Sequence, residues 1–201
     1  MLVGIISSAH AFQSTNLSDI NPQNDSSKIS PYVGEEKRQI KSLSEQDIES
    51  LQKGTGAAFV GLALLAELNG YPGPRHVLDL ETDLQLSEQQ KNKIDSIYKD
   101  INANAKKIGS TLIDVENQLN TLFTNKTITN STLDQLIQES ASIYGKLRYA
   151  HLNAHLKTME ILSPEQVTLY NELRGYSSGD PCQNIPPGHD PELWKLHYGC
   201  K

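Results

Sequence analysis

The chain has 201 residues, of which 37% are hydrophobic and only 6% are aromatic. Its formal net charge of −6 leaves no basic stripe to neutralise phosphates, which argues against nucleic acid as the main partner. No apolar run approaches the roughly 20 residues of a membrane-spanning helix, so we expect no membrane insertion. This composition suits one domain with tails.

The N-terminal segment predicts an exported protein. Residues 2–6 are apolar, and residues 9–11 form an Ala-His-Ala site of the kind that signal peptidases cleave, although no Lys or Arg precedes them. We expect residues 1–11 to be the remnant of a secretory signal; a disordered N-terminus with a chance Ala-x-Ala match is the alternative. Residues 12–39 are rich in Ser, Asn, Gln and Pro, which predicts a disordered leader.

A helical domain is predicted for residues 40–175, beginning with short elements. Ser44 is a candidate N-cap for a helix that ends near Gly54. The small and apolar residues of 54–70 predict a closely packed helix, stopped by Asn69 and Gly70. The Gly-x-Gly at its start would suit a phosphate loop, but no strand precedes it and no Lys-Ser/Thr follows. A Pro-Gly turn then leads into a short helix over 75–80.

Two copies of one pattern, Leu-Ser-x-x-Gln, bracket the middle of the chain. Each serine is placed to cap a helix, and the glutamine three residues later can reach back to that cap. Each preceding leucine can act as a hydrophobic staple. The six motif residues are Leu86, Ser87, Gln90, Leu162, Ser163 and Gln166.

The segment between the copies predicts a long antiparallel helical hairpin. Its first run has apolar or small residues in steps of four and three, which is a heptad seam. These residues are Ile94, Tyr98, Ile101, Ala105, Ile108, Leu112, Val115, Leu119 and Leu122. Residues 125–130 break the pattern, and Asn130 or Ser131 can cap a second run. That run carries Leu133, Leu136, Ile137, Ser140, Ile143, Tyr144, Leu147, His151 and Ala154 along one side.

The length of the predicted hairpin suggests a partner. A first arm of about 35 residues would be roughly 50 Å long. The flanking helices cannot cover the whole apolar stripe of such an arm. We therefore expect a homodimer, with a partner chain or a bound protein covering the rest.

Two Leu-Ser-x-x-Gln helix starts around a helical hairpin resemble the LTxxQ family, over about residues 78–175. That family includes the Spy/CpxP-type periplasmic chaperones and related periplasmic heavy-metal sensor and resistance proteins. Residues 66–78 also resemble a stretch that precedes the hairpin in one branch. Both copies carry Ser where the family has Thr, and this chain is acidic where client-holding members tend to be basic on their concave face.

The resemblance implies an all-α fold, in which the long hairpin and shorter flanking helices of a dimer form a Spy/CpxP-like cradle. It implies a periplasmic, ATP-independent chaperone or envelope-stress protein that binds unfolded or aggregation-prone proteins. The alternative that it implies is a periplasmic heavy-metal-binding sensor or resistance protein. A regulatory partner that docks on one sensor protein is a third class.

No motif for catalysis is present in the sequence. It contains no Gly-x-Ser-x-Gly elbow, Walker loop or His-Glu-x-x-His. We expect a protein that is not an enzyme and requires no cofactor.

The second predicted arm carries a candidate metal site. His151 and His155 are four residues apart, so their side chains share a helix face and suit zinc or another divalent transition metal. Asp100 on the opposite arm is the candidate third ligand. In the alternative interpretation, His151 lies at the edge of the core and bonds to Asn104 or to a backbone carbonyl.

Residues 176–201 form a Gly/Pro-rich tail that holds the only two cysteines, Cys182 and Cys200. An oxidising compartment favours a disulfide between them. A zinc site that adds His189 and His197 is the rival interpretation, although its spacing matches no usual structural zinc pattern. Free thiols are the third possibility.

Four tyrosines, together with the Leu/Ile stripe, are candidates for an amphipathic client-binding surface. They are Tyr98, Tyr144, Tyr149 and Tyr170. In the alternative interpretation, this stripe is ordinary core between the two arms.

Overall fold

The computed structural model describes residues 29–55, 61–176, 182, 185 and 190–200, and for residues 197 and 198 only the backbone. The described ranges contain helices and no strands. The α-helices are α1 (Glu45–Lys53), α2 (Leu64–Leu68), α3 (Pro74–Asp79), α4 (Glu88–Thr124), α5 (Asn130–Met159), α6 (Pro164–Leu173) and α7 (Pro191–Tyr198). The fold is therefore all-helical in the described part of the chain.

The described residues fall into two units, one that ends at Glu36 and one that begins at Lys37. The first unit is described only from residue 29, and a single 3-10 turn, Glu35–Lys37, lies at the division. The predicted signal remnant and most of the predicted leader lie outside the described residues. The first buried side chain of the second unit is that of Ile40.

Capping boxes start three of the helices at the predicted serines. The Ser87 side chain accepts a hydrogen bond from the Gln90 N–H at the start of α4, and Gln90 accepts one from the Ser87 N–H. Boxes at Ser44 and Ser163 start α1 and α6 in the same way. The start of α5 differs from the predicted one: Thr129 is the N-cap, because its extended backbone lets its hydroxyl accept from the N–H of Thr132.

The two long helices α4 and α5 pack against each other, and α1 packs on α4. Most predicted seam positions lie in this core. Ile137 is an exception, since its side chain is 51% exposed. Gly109 is a buried position that the seam did not include; a Cβ there would lie 2.6 Å from the carbonyl oxygen of Leu51. The close crossing of α1 over α4 therefore requires a glycine within α4.

A second hydrophobic cluster joins α3 and α6 to the first turns of α4. Its buried residues are Val77, Leu84, Ile94, Leu162 and Tyr170. Leu86 packs against this cluster, so both motif leucines contribute to it. This shared cluster brings the start of α4 close to the start of α6.

The segment 54–70 differs from the single helix that its composition predicted. Gly54 adopts a left-handed conformation with φ 66° and ends α1. Residues 56–60, which include the second glycine of the Gly-x-Gly, lie outside the described part. Only the five residues of α2 are helical in the rest of the segment. Among the described helices, none is both long and apolar enough to cross a membrane.

Candidate functional site

The two glutamines of the Leu-Ser-x-x-Gln motifs contact each other. Gln90 Nε2 donates to Gln166 Oε1 at 2.7 Å and to the carbonyl oxygen of Ile161 at 3.0 Å. Gln166 Nε2 donates to the carbonyl oxygen of Leu84 at 3.1 Å. Each glutamine oxygen also accepts the N–H of its own capping serine. The motif therefore requires a side chain that caps through its oxygen and crosslinks through its amide NH₂.

Replacing Gln90 by Glu is expected to destabilise the fold, although Glu suits a capping box. The carboxylate accepts hydrogen bonds but cannot donate to the carbonyl of Ile161, so we expect a loss of about 1–3 kcal/mol in the free energy of unfolding. Urea denaturation at pH 7 measures this loss. The matched control is Gln89→Glu, which adds the same charge at the exposed neighbouring position. Equal stability of the two variants would contradict the crosslinking role.

A buried carboxylate joins α2 to the C-terminal end of α6. The Glu67 side chain is 8% exposed, and its Oε1 accepts hydrogen bonds from the hydroxyls of Tyr170 at 2.5 Å and Tyr176 at 3.1 Å. Arg174 Nε and His76 Nδ1 each lie 3.4 Å from the same oxygen. We call these five residues the Glu67 cluster. It connects four parts of the chain through one negative charge.

The electrostatics of the Glu67 cluster favour the ionised carboxylate. Burial raises the pKa of Glu67, but the contacts of His76 and Tyr170 with the carboxylate outweigh burial and lower that pKa to about 2. Burial and the carboxylate of Glu67 also raise the pKa of Tyr170, so its hydroxyl stays protonated and donates. The buried charge is thus satisfied at Oε1, which accepts from the hydroxyls of Tyr170 and Tyr176, while Oε2 has no hydrogen-bond partner among the described residues.

The two candidate metal-ligating histidines are buried, and His155 lies beside this cluster. His155 Nδ1 is 2.6 Å from the carbonyl oxygen of Tyr71 and 4.0 Å from Glu67 Oε2. A Cβ added at Gly73 would lie 2.9 Å from the His155 ring, so this ring packs on the backbone of the Pro-Gly turn. His151 Nε2 is buried and has no hydrogen-bond partner among the described residues.

The structure does not bring Asp100 to these histidines. Asp100 is exposed and lines an open groove between α4 and α5, whereas neither histidine lines that groove. Within the described ranges, no three or more His, Cys, Asp or Glu side chains are placed to hold a metal ion. His155 contacts a backbone carbonyl oxygen, whereas the alternative interpretation expected such a contact for His151, whose Nε2 has no partner among the described residues.

His151 should make the stability of the protein depend on pH. Burial, with a smaller contribution from His155, lowers the pKa of His151 from 6.5 to about 4. Between these two values the unfolded chain binds more protons, so stability falls as the pH falls from about 6.5 to about 4, by up to roughly 3 kcal/mol.

His151→Leu is expected to flatten this pH dependence without loss of stability at pH 7, because it replaces a buried nitrogen that has no partner. Urea denaturation at pH 7, 5.5 and 4.5 measures both effects. A variant with the same pH profile as the parent would show that another group titrates.

An open groove lies between the two long helices α4 and α5. It encloses about 880 Å³. Its floor and walls carry the apolar residues Ile97, Ile101, Ile108, Ile143, Ala150 and Ala154. Polar and charged side chains complete the lining: Asp100, Asn104, Lys107, Thr111, Ser142, Lys146, Tyr149, Asn153 and Lys157, with Gly145 between them. We call this feature the α4–α5 groove.

The charge of the α4–α5 groove is opposite to that of the whole chain. Lys107, Lys146 and Lys157 line it against one carboxylate, that of Asp100, while the chain carries a net charge of −6. Tyr149 adds an aromatic ring that is 68% exposed. The groove therefore offers apolar contact flanked by positive charge.

The four candidate tyrosines have different environments. Tyr149 lines the groove, but Tyr170 is completely buried and cannot contact a client directly. Tyr144 packs against the core between the long helices, and Tyr98 lies under the guanidinium of Arg75, 5.6 Å from its ring centroid. The apolar surface also includes Leu64, Leu65 and Leu68 on α2, which are each more than half exposed.

The C-terminal tail contains the Cys182–Cys200 disulfide, with Cα atoms 5.5 Å apart. His189 and the side chain of His197 lie outside the described residues, so the rival zinc cluster stays a prediction. The described part of the tail includes one helix, α7.

A family model described as LTXXQ motif family protein matches residues 74–174. The chain belongs to the LTXXQ motif family. This confirms the resemblance drawn from the two motifs. Comparisons with curated proteins and with solved structures find no match.

The LTXXQ match covers α3 to α6 and thus both glutamines that contact each other. Glu67 lies before the matched range, although its partners Tyr170 and Arg174 lie inside it. Sequence reasoning missed Glu67 because a single acid in an apolar run gives no signal. It also missed the lysines of the groove, although Lys146, Asn153 and Lys157 follow helical spacing along one face of α5.

Proposed function

We propose that this LTXXQ protein is an ATP-independent chaperone of the Spy/CpxP type that binds segments of unfolded proteins in the α4–α5 groove. The observation that carries the proposal is the lining of the groove, which combines apolar side chains with three lysines and a single carboxylate. An unfolded segment with apolar residues next to Asp or Glu would bury its apolar side chains on the isoleucines and pair its carboxylates with the lysines. Such binding needs no reaction centre.

The architecture that we propose for this function is an antiparallel hairpin of α4 and α5, two copies of which form a cradle. Family membership supports a cradle in the periplasm, and the open groove supports a binding surface between the long helices. A homodimer would place two grooves in one particle, so that a client could occupy both and gain affinity through multivalency.

The test is light scattering of an acid-rich client protein as it aggregates after dilution from denaturant, with and without this protein and without ATP. Parallel samples contain a chelator or added zinc. Suppression of aggregation that is insensitive to the chelator supports the chaperone. Suppression that is confined to one client and absent for others would instead favour a dedicated regulatory partner.

The second candidate is a metal-binding sensor or resistance protein. His151 Nε2 and Glu67 Oε2 favour it, because both are buried, are of metal-ligand type and have no hydrogen-bond partner in the described part. In this case zinc would raise the melting temperature by mass action, and His151→Leu would abolish that shift. Failure to suppress aggregation, combined with such a shift, would replace the chaperone proposal.

A further inference from the structure

Gly145 lies in the middle of α5 and lines the α4–α5 groove. Glycine inside a helix lowers stability relative to alanine, so its presence calls for a reason. A Cβ added at Gly145 would meet no described atom within 4 Å, whereas a Cβ at Gly109 on α4 would overlap the backbone of Leu51. Packing within the chain therefore requires glycine at 109 but not at 145. At 145, glycine leaves the groove open at a point where another backbone can approach α5 closely.

The two long helices line the groove over nearly the same length. The lining runs from Ile97 to Thr111 on α4 and from Ser142 to Lys157 on α5, which corresponds to about 21 to 23 Å of helix. The groove therefore runs along both helices rather than across them. A segment in extended conformation, at about 3.3 Å per residue, would fill it with about six residues.

The cross-section of the groove suits an extended segment better than a helix. A volume of about 880 Å³ over a length of about 21 Å gives a mean cross-section of about 42 Å². A helix with its side chains is at least about 10 Å across and needs roughly 80 Å². An extended segment needs roughly 47 Å², because strands lie about 4.7 Å apart within a sheet and sheets pack about 10 Å apart. The space between α4 and α5 therefore favours an extended occupant.

Polar groups along the groove are available to such an occupant. The side chains of Lys107, Lys146 and Lys157 form no ion pair with the described part of the chain. The side-chain amides of Asn104 and Asn153 form no hydrogen bond with it. An extended segment outside a sheet has unpaired backbone N–H and C=O groups, and amide side chains can both donate to and accept from them.

The spacing of two lysines matches carboxylates on one face of an extended segment. Lys146 and Lys157 are eleven residues apart, which places them on the same side of α5 and about 16 Å apart along it. Carboxylates four residues apart on an extended segment point to the same face and are separated by about 13 Å. The flexible stems of the lysines cover the remaining difference. Asp100 is the one carboxylate of the lining, so the groove keeps its positive charge.

We infer that the α4–α5 groove holds one client segment in extended conformation, with its backbone against Gly145 and its carboxylates at Lys146 and Lys157. This inference rests on the proposed function of the groove. Alternate side chains of the segment face the isoleucines of the floor, and the carboxylates lie on the opposite face. The segments that bind best therefore have apolar residues at every second position and two acidic residues, four apart, among the others.

The variant Gly145→Leu tests the approach of the client backbone. It is expected to weaken binding of a labelled unfolded client about tenfold in fluorescence anisotropy, because a side chain then occupies the path of that backbone. The protein should remain folded and melt at a higher temperature, since leucine favours helix more than glycine does. The control Ala141→Leu lies at an exposed position of α5 that does not line the groove and should bind like the parent. Equal affinities of the two variants would overturn the inference.

Two labelled peptides of identical composition test the conformation of the bound segment. Both contain the same numbers of Leu, Ser and Glu; one alternates Leu with polar residues and has its Glu residues four apart, and the other repeats Leu at helical spacing. We expect the alternating peptide to bind about fivefold more tightly, because only its pattern separates apolar and acidic side chains on an extended chain. The infrared amide I band of the isotope-labelled, bound alternating peptide should be that of an extended chain.

The outcomes separate this inference from the proposed function. Equal or tighter binding of the peptide with helical spacing, or a helical amide I band, would overturn the inference alone. Failure of both peptides to bind would also overturn it if aggregation of client proteins is still suppressed, because clients would then be held by other features. Failure of both peptides together with unsuppressed aggregation would refute the proposed function itself.

Discussion

Replacing Glu67 by Ala is expected to destabilise the fold by about 3 kcal/mol at pH 7. The change removes the acceptor of the Tyr170 hydroxyl and the carboxylate next to Arg174, and truncating one partner of a buried charged network leaves the other groups unsatisfied. We place the expected loss at the low end of the range for buried pairs, because Arg174 is about one third exposed. Urea denaturation followed by circular dichroism measures it.

The control for this prediction is Glu49→Ala on α1, where the carboxylate pairs with Lys53 in solvent and no measurable change is expected. Glu67→Gln should lie between the two, since an amide oxygen can still accept from Tyr170. A Glu67→Ala protein as stable as Glu49→Ala would mean that the Glu67 cluster does not hold α2 to α6.

The second large effect concerns the groove. Lys146→Glu/Lys157→Glu is expected to weaken binding of an acid-rich client about tenfold, because attraction to client carboxylates is replaced by repulsion, while the apolar lining is retained. The difference from the parent should shrink at high salt, which screens exposed charges. Fluorescence anisotropy of a labelled, permanently unfolded client measures the dissociation constant.

The variant Lys93→Glu/Lys99→Glu carries the same total charge and should bind almost as tightly as the parent. Equal weakening in both double variants would show that net charge alone, rather than the groove, sets client affinity.

Local patterns in the sequence were sufficient to predict the helix starts and the seam. Ser44, Ser87 and Ser163 cap helices because the chemistry of a cap lies within four residues of chain. The steps of four and three locate Leu112, Val115 and Leu119 in the core because helix geometry repeats. The family follows from these same features.

Contacts between distant residues could not be predicted in this way. Tyr170 bonds to Glu67 across 103 positions, and nothing near either residue indicates the other. Gln90 and Gln166 each had a complete local role as part of a cap, which hid their mutual contact across 76 positions. Asp100 was predicted as a ligand because it should lie level with the histidines along the paired helices. That level alone does not decide whether a residue of α4 faces the same side of α5 as the histidines.

The most direct test of the central claim is photo-crosslinking of an unfolded client to this protein. Benzoylphenylalanine replaces Tyr149 in the α4–α5 groove in one variant and Phe123, a 55% exposed aromatic residue outside the groove, in the other. We predict strong client adducts from position 149, weak ones from position 123, and loss of the first set when Lys146 and Lys157 are replaced by Glu. Equal adducts from both positions, or adducts only from position 123, would contradict client binding in the groove.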